Sequence, residues 1–204
     1  MGGIGILGGT FNPPHLGHLA VATHAGEQLG LDLVLLMPAR IPPHKPAAED
    51  PGPEQRLQMC RTLVCGRPGI DVSALEIERD GASYTVDTLR SMHSSHPHAD
   101  LTFIVGADTA STMASWREPE AILSLARLAV ASRDGSQRRR VLDTVVPLSD
   151  GSASVVFLDM GEVAISSSLV RARVAAGEPV ADLTGPDVAR YIYEHHLYRV
   201  PEPA

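Results

Sequence analysis

The chain has 204 residues, of which 44% are hydrophobic and 20% charged, a composition that allows a substantial core and excludes a fibrous or disordered chain. Its formal net charge of -7 argues against a general nucleic-acid binder, because such proteins need a basic surface to displace counterions from phosphates. No apolar run reaches the ~18 residues that span a bilayer, and the first residues lack the basic segment of a signal peptide, so we expect a cytoplasmic protein without a membrane partner.

The first predicted element is a buried strand formed by the apolar residues 4–7. Gly8 and Gly9 follow it and let the chain turn sharply, and an apolar-periodic helix is predicted from Leu16. Because glycine has no side chain, the backbone N–H groups of this turn can approach an anion closely, and the positive end of the helix points the same way. The segment therefore predicts a cradle for phosphate.

His15 and His18 lie at the start of this helix, three residues apart, so their side chains share one face of the first turn. Both imidazoles are expected to face the phosphate cradle. The segment matches neither G-x-G-x-x-G nor G-x-x-x-x-G-K-[ST], so the histidine pair distinguishes it from a common glycine-rich turn. Two surface histidines at a helix start are the alternative interpretation.

Strands and helices alternate along the first half of the chain. The first helix is predicted over 16–29, because Gly30 is suited to a left-handed cap, and residues 38–53 are too rich in proline for a helix interior. The other predictions are a buried strand at 33–37, a helix at 54–64 and, near a sheet edge, an alternating strand at 70–77.

The second half continues the same alternation. A helix is predicted from Ser83 towards Met92, and a buried strand at 101–105 follows it. The remaining predictions are a helix at 119–125, strands at 128–131 and 155–158, a helix opened by 165–171 and ending near Gly177, and a final helix from Pro186 to about His196.

This alternation predicts an α/β fold with a doubly wound, mainly parallel sheet joined by right-handed crossovers. One domain is predicted over residues 1–204, with 166–204 as its C-terminal helical part. In such sheets ligands bind beyond the carboxyl ends of the strands. The polar segments that follow predicted strands, and that we therefore expect to converge on one edge, are 8–18, 106–108, Arg133 and 166–171.

Positive charge is gathered at this edge of an acidic chain. Lys45, Arg133 and Arg171 are permanent cations, and the two histidines can become cationic. Arg171 lies one helical turn beyond Ser167 and Ser168, so hydroxyls, backbone N–H groups and the guanidinium can hold one phosphate chain together. This pattern indicates a site for a polyphosphate.

The sequence shows no matched pair of nucleophile and base. The serines at 166–168 lack the G-x-S-x-G context, and no paired carboxylates indicate hydrolysis. Phosphoryl and nucleotidyl transfer depend mainly on positioning and on stabilising charge at the phosphorus oxygens, so these residues favour such a transfer.

Simpler interpretations stay open for several residues. Arg133 can form a surface ion pair, Asp108 can cap a helix, and Trp116 can serve core packing alone. Cys60 and Cys65 have neither a zinc nor a redox spacing, so we expect reduced thiols.

The segment GGTFNPPHLGH at 8–18 resembles the HxGH signature of the nucleotidyltransferase superfamily, and specifically the bacterial nicotinate-nucleotide adenylyltransferases. The resemblance extends nearly end to end and in the same order. Its further motifs are IPPHK at 41–45, SYTVDTL at 83–89, FIVGAD at 103–108, Trp116, ISSSLVR at 165–171 and LYR at 197–199.

The resemblance implies a Rossmann-like nucleotidyltransferase fold and an ATP-dependent reaction. Members of the family join nicotinate mononucleotide to the AMP part of ATP, with magnesium, and release pyrophosphate in NAD biosynthesis. The mononucleotide phosphate attacks the α-phosphorus in line, so no covalent enzyme intermediate forms. The partners implied are thus ATP and nicotinate mononucleotide, while a homo-oligomer is compatible with the sequence but not indicated by it.

The resemblance also implies roles for individual residues. In the nucleotide site, His15 and His18 contact the ATP phosphates and His18 supports the transition state. The residues that line that site are Gly8, Gly9, Thr10 and Phe11, and Lys45 approaches phosphate from its loop. The departing β- and γ-phosphates are held by Ser166, Ser168 and Arg171. The ribose is contacted by Gly106 and Asp108, and Arg133 lies nearby. Thr85 and Trp116 match positions that recognise nicotinate, the tryptophan by stacking, and no residue is implied as a direct metal ligand.

Two positions depart from the family pattern: Asn12 stands where aspartate is frequent, and Ser168 where threonine is usual. Both keep hydrogen-bonding capacity, so activity is still expected. Transfer to nicotinamide mononucleotide or phosphopantetheine is the alternative within this chemistry. A non-catalytic nucleotide-binding protein is a further alternative, whereas a nucleotide-binding oxidoreductase lacks the expected glycine motif and the acidic residue after the second strand.

Overall fold

The computed structural model of the chain describes residues 2–43, 49–132, 135–149, 154–161 and 164–199. Six strands in this part form one sheet in the order β3-β2-β1-β4-β5-β6, and every neighbouring pair is parallel. The strands are β1 (Gly3–Gly9), β2 (Leu33–Pro38), β3 (Ile70–Val72), β4 (Asp100–Gly106), β5 (Arg127–Ala131) and β6 (Val155–Leu158). The doubly wound parallel sheet predicted from the sequence is confirmed.

Helices cover both faces of this sheet. Those over one apolar core are α1 (Leu16–Leu29), α2 (Pro53–Val64), α8 (Ser167–Ala175), α9 (Ala181–Thr184) and α10 (Pro186–Glu194). Those over the opposite core are α3 (Leu75–Glu78), α4 (Thr85–Ser95), α5 (Ala107–Ala110), α6 (Pro119–Leu125) and α7 (Gly135–Val145). None of the helices in the described part is long and apolar enough to span a membrane.

The chain reverses its direction of travel across the sheet at β1. From β1 it proceeds outward through β2 to β3, then returns to place β4 on the other side of β1. Such a switch point leaves a crevice outside the carboxyl ends of the strands, where ligands bind. Side chains pack closely against β1, since a methyl group at Gly5 would lie 2.8 Å from methyl carbons of Ile104 on β4 and of Leu31 after α1.

Most predicted elements are confirmed, and one was wrong in extent. Helix α1 ends where Gly30 takes the left-handed conformation, with φ 61°. The strand predicted over 70–77 instead stops at Val72, and the hydroxyl oxygen of Ser73 accepts the N–H of Leu75 at 3.3 Å as the chain turns into α3. Alternating apolar residues in so short a segment do not distinguish a strand from one helical turn. The position of β3 at the sheet edge is confirmed.

Candidate active site

Two cavities open at the carboxyl ends of β1 and β4. The histidine cavity, of about 600 Å³, is lined among others by Phe11, His15, His18 and Arg171. The tryptophan cavity, of about 530 Å³, is lined by Thr85 and Trp116 and lies on the opposite side of the β1 turn. The residues lining both are Gly8, Gly9, Thr10, Asp108 and Thr109. The glycine-rich turn is therefore a shared wall between two neighbouring binding volumes.

The two histidines predicted at the helix start are stacked beside each other. Their ring centroids are 3.7 Å apart, and the His18 ring lies 4.8 Å from that of Phe11. The backbone N–H of His15 donates to Nδ1 of His18 at 3.2 Å. Since Nδ1 is an acceptor there, a neutral His18 carries its proton on Nε2, which can donate to a ligand.

Burial keeps both imidazoles neutral in the ligand-free chain. It lowers the pKa of His15 to about 4, and it lowers the pKa of His18 well below the usual value, with the neighbouring His15 adding to the effect. The sequence suggested that these side chains can supply positive charge, but near pH 7 they act in this structure as neutral hydrogen-bonding groups. Only tertiary packing determines this state, so the sequence could not reveal it.

Helix α8 places Arg171 beside the histidine cavity, and two hydrogen bonds join this helix to the turn after β1. Nη1 of Arg171 donates to the carbonyl oxygen of Asn12 at 2.7 Å, and Ser167 donates to the carbonyl oxygen of Pro13 at 2.8 Å. Nε of Arg171 lies 3.4 Å from a carboxylate oxygen of Glu49, an ion pair without hydrogen-bond geometry. Ser168 lines the cavity, and its hydroxyl oxygen lies 3.5 Å from Nη2 of Arg171.

Ser166 is placed differently from its neighbours. Its hydroxyl oxygen accepts the N–H of Leu169 at 3.1 Å and so caps helix α8, and Ser166 is not among the residues lining the cavity. A hydroxyl used in this way satisfies one of the unpaired donors at the helix start. The geometry thus gives Ser166 a local structural task, whereas Ser168 faces the cavity.

Gly106 and Asp108 stand at the junction between β4 and α5. Gly106 is the N-cap of α5, so Asp108 is not the capping residue and lies instead in the first helical turn. Asp108 is the one carboxylate among the described residues that line the histidine cavity. No group of three His, Cys, Asp or Glu side chains in the described ranges could hold a metal ion. Lys45 and Arg133 lie outside the described residues.

The tryptophan cavity combines an aromatic face with a polar floor. Trp116 is half-buried, its ring edge packs on Phe103 with centroids 6.1 Å apart, and its Nε1–H donates to Thr112 at 3.0 Å. Core packing therefore accounts for only part of its surface. Thr85 begins helix α4 and lines the same cavity. The family resemblance assigned both residues to one substrate, and in the structure they line one cavity.

Two charged residues of this cavity were not identified from the sequence. The Arg117 guanidinium lies 4.9 Å above the Tyr84 ring and carries positive charge at the cavity mouth. Glu76 is buried at the floor, where its carboxylate accepts the hydroxyl of Thr88 at 2.6 Å, and burial raises its pKa. Arg117 directly follows Trp116 and was identifiable as a cation beside a predicted site residue, whereas Glu76 fell in the segment read as a strand.

Arg56 is the most deeply buried charged residue that sequence reasoning missed. Its side chain is fully buried on helix α2, and it shares the inward face with Met59, Cys60 and Leu63. An arginine at i with apolar residues at i+3, i+4 and i+7 is a sequence signal for a buried guanidinium. A guanidinium so placed must find acceptors inside the protein.

The chain is similar in sequence to a family of nucleotidyltransferases. The family model described as cytidylyltransferase-like matches residues 6–173. A probable nicotinate-nucleotide adenylyltransferase of Geobacillus thermodenitrificans is 37% identical and covers 97% of this chain and 87% of its own. One of Desulfitobacterium hafniense strain Y51 is 38% identical and covers 97% of this chain and 96% of its own.

Solved structures show the same fold at greater sequence distance. The nicotinic acid mononucleotide adenylyltransferase of Plasmodium falciparum complexed with NaAD has a TM-score of 0.75 to this chain at 18% identity, covering 97% of this chain and 98% of that one. The same enzyme complexed with APC gives a TM-score of 0.74 with the same coverage.

Proposed function

The chain belongs to the cytidylyltransferase-like family and, within it, to the nicotinate-nucleotide adenylyltransferases, and on this premise we propose that it transfers the adenylyl group of ATP to nicotinate mononucleotide. The products are nicotinate adenine dinucleotide and pyrophosphate, in NAD biosynthesis. The observation that carries this proposal is the pair of cavities that share the glycine-rich turn. Two substrates bound on either side of one wall can bring their phosphates together at its rim.

ATP is assigned to the histidine cavity. The Nε2–H of a neutral His18 and the guanidinium of Arg171 supply donors, and Ser168 adds a hydroxyl. His15 stacks on His18 and fixes its orientation through the backbone hydrogen bond. We assign the α-phosphate to His18 and the departing β- and γ-phosphates to Arg171 and Ser168, because donors aimed at developing charge are the main source of catalysis in such transfers.

The remaining predicted ATP contacts surround these groups. Gly8, Gly9, Thr10 and Phe11 supply the wall, and Gly106 and Asp108 stand where β4 ends beside it. Lys45 and Arg133 stay predictions, as does a phosphate contact from Ser166, whose hydroxyl caps α8.

Nicotinate mononucleotide is assigned to the tryptophan cavity, with the pyridine ring on Trp116 and a polar contact from Thr85. Its phosphate is already largely dianionic near neutral pH, because the second pKa of a phosphate monoester is about 6. An oxygen of this phosphate attacks the α-phosphorus, the new P–O bond forms as the bond to the β-phosphate oxygen breaks, and pyrophosphate leaves. No general base is needed, which agrees with the two histidines being held as neutral donors.

Magnesium is proposed to enter with ATP rather than to occupy a protein cage. The described lining of the histidine cavity offers one carboxylate, that of Asp108, and Mg²⁺ is commonly bound by substrate phosphates and water with few protein ligands. When bound, the ion supplies charge neutralisation on the phosphate oxygens. A cytoplasmic location, homo-oligomer formation and one domain with a helical part at 166–204 stay predictions.

Pyrophosphate release tests the proposal. Nicotinate mononucleotide, nicotinamide mononucleotide and phosphopantetheine are compared by kcat/KM with ATP and Mg²⁺ at equal enzyme concentration. We expect a clear preference for nicotinate mononucleotide. Preference for another acceptor would contradict the assignment of the tryptophan cavity, and no release with any acceptor would leave a nucleotide-binding protein.

A further inference from the structure

The buried guanidinium of Arg56 contacts the ends of two neighbouring strands. Its Nη1 donates to the carbonyl oxygen of Thr10 at 2.8 Å, just after β1, and to that of Ala39 at 2.7 Å, just after β2. Its Nη2 donates to the carbonyl oxygen of Arg40 at 3.2 Å, and its Nε donates to a carboxylate oxygen of Asp50 at 2.9 Å. One guanidinium thus binds three backbone carbonyl oxygens and one carboxylate.

These partners belong to walls of both cavities. Thr10 lies in the shared wall, and Ala39 lines the tryptophan cavity. Asp50 directly follows Glu49, whose carboxylate reaches Arg171 in the histidine cavity. Contacts from residues that line the cavities therefore converge on a single guanidinium.

The contact with Thr10 also fixes the direction of a backbone donor. In a trans peptide the C=O and the next N–H point in opposite directions, so a Thr10 carbonyl that faces Arg56 turns the Phe11 N–H away from it. Within the described part of the chain, none of the hydrogen bonds uses this N–H. Phe11 lines the histidine cavity and has φ 52°, a conformation that residues with a side chain adopt only when their surroundings impose it.

We propose that Arg56 is a positioning residue for adenylyl transfer: it orients the Thr10–Phe11 peptide so that the Phe11 N–H faces the nucleotide, and it holds the two cavities in register. This role rests on the proposed function. Arg56 acts through the backbone, since its guanidinium is fully buried and Arg56 lines neither the histidine cavity nor the tryptophan cavity.

The first test replaces Arg56 by lysine, which keeps the charge but has one nitrogen in place of a planar fork. A single ammonium cannot reproduce bonds that diverge to two strands and to Asp50. We expect kcat to fall at least tenfold while KM for ATP and for nicotinate mononucleotide changes less than threefold. Each cavity keeps its own side chains, but the reacting phosphates are no longer aligned.

Arg61→Lys is the matched control, because Arg61 lies on the same helix and is exposed. It should leave kcat and both KM values unchanged. Asp50→Ala provides a second variant that withdraws one partner of the guanidinium together with the acceptor of the Gly52 N–H, and we expect a three- to tenfold lower kcat. If Arg56→Lys does not fold, Asp50→Ala decides the kinetic question.

The amide resonance of Phe11 gives a readout that a purely structural role would not move. In the wild type it should shift on addition of α,β-methylene ATP, and in folded Arg56→Lys or in Asp50→Ala its position and its response should both change. Unchanged kcat in the folded variants, or a Phe11 amide that ignores the nucleotide analogue, would overturn the proposal. A wild type that releases no pyrophosphate would instead contradict the proposed function, and the amide shift would still report on Arg56.

Discussion

At the scale of single residues, the chemistry of the site follows from which atoms are left free to donate. The Nδ1 of His18 is occupied by the His15 backbone, so its Nε2–H remains for a ligand. Neutral donors of this kind can stabilise charge that develops on phosphate oxygens without carrying a full charge into the buried site.

Replacing His18 by alanine tests this donor. We expect kcat for pyrophosphate release to fall about 10²-fold or more, because one preorganised donor to a developing charge is worth about that factor. His24→Ala is the control, since His24 lies on the same helix α1 and its ring bonds the carbonyl oxygen of Ala20. Wild-type kcat in a folded His18→Ala enzyme would refute the assignment.

Replacing Trp116 by alanine tests the acceptor cavity. The loss of a stacking surface should raise KM for nicotinate mononucleotide about tenfold, in line with about 1–3 kcal/mol for stacking of a base on an aromatic ring. KM for ATP should stay within twofold, because Trp116 does not line the histidine cavity. Steady-state kinetics with each substrate varied in turn separates these effects, and an equal rise in both KM values would argue against the assignment.

At the scale of elements, helix α8 combines a structural cap with a face that lines the histidine cavity. Ser166 caps the helix, Ser167 bonds the carbonyl oxygen of Pro13, and Ser168 faces the cavity. Three successive hydroxyls in the same motif therefore have different partners, although Ser167 and Ser168 both line the cavity. The resemblance assigned phosphate contacts to the first and the third, and the sequence alone could not separate a cap from a ligand contact.

Paired substitutions separate the two tasks. Ser166→Ala should lower the free energy of unfolding by about 1 kcal/mol, the usual cost of a lost N-cap, with KM for ATP nearly unchanged. Ser168→Ala should leave stability unchanged and raise KM for ATP severalfold. Urea unfolding and ATP-dependent kinetics on both variants provide the check, and a raised KM in Ser166→Ala at unchanged stability would instead support a phosphate contact.

At the scale of the whole molecule, stability is linked to pH through the buried histidines. The pKa of His15 is about 4 in the folded chain and near 6.5 when unfolded, so the unfolded chain binds more protons between these values. The contribution of the neutral, buried His15 to the free energy of unfolding should therefore be present above pH 6.5 and be lost as the pH is lowered. For His15 alone the loss between pH 7 and pH 5 is about 2 kcal/mol.

Urea unfolding at pH 7, 6 and 5 measures this linkage. Because Glu76 and other groups also titrate, the wild type is compared with a His15→Asn, His18→Asn double variant, in which the histidine contribution is absent. The wild type should lose more stability than the variant on acidification. Parallel curves would show that the two imidazoles are not held neutral by the fold.

The sequence predicted the architecture well because its signals were local. Apolar runs marked the buried strands, and Gly30 marked the end of α1 through a left-handed cap. The motif around His15 and His18 located the histidine cavity, to which we assign ATP. The contacts of Arg56 were not predictable in the same way, since their acceptors are backbone carbonyls such as that of Ala39, which leave no trace in residue type.

The tether between Arg171 and the Asn12 carbonyl joins positions 159 residues apart. On a ribosome that adds ~5–20 residues per second, the second partner is made on the order of ten seconds or more after the first. Until then the nascent chain contains the glycine-rich turn but has no Arg171 to complete the histidine cavity. On the proposed assignment of Arg171 to the departing phosphates, catalytic competence is thus delayed until α8 has been translated, long after the glycine-rich turn.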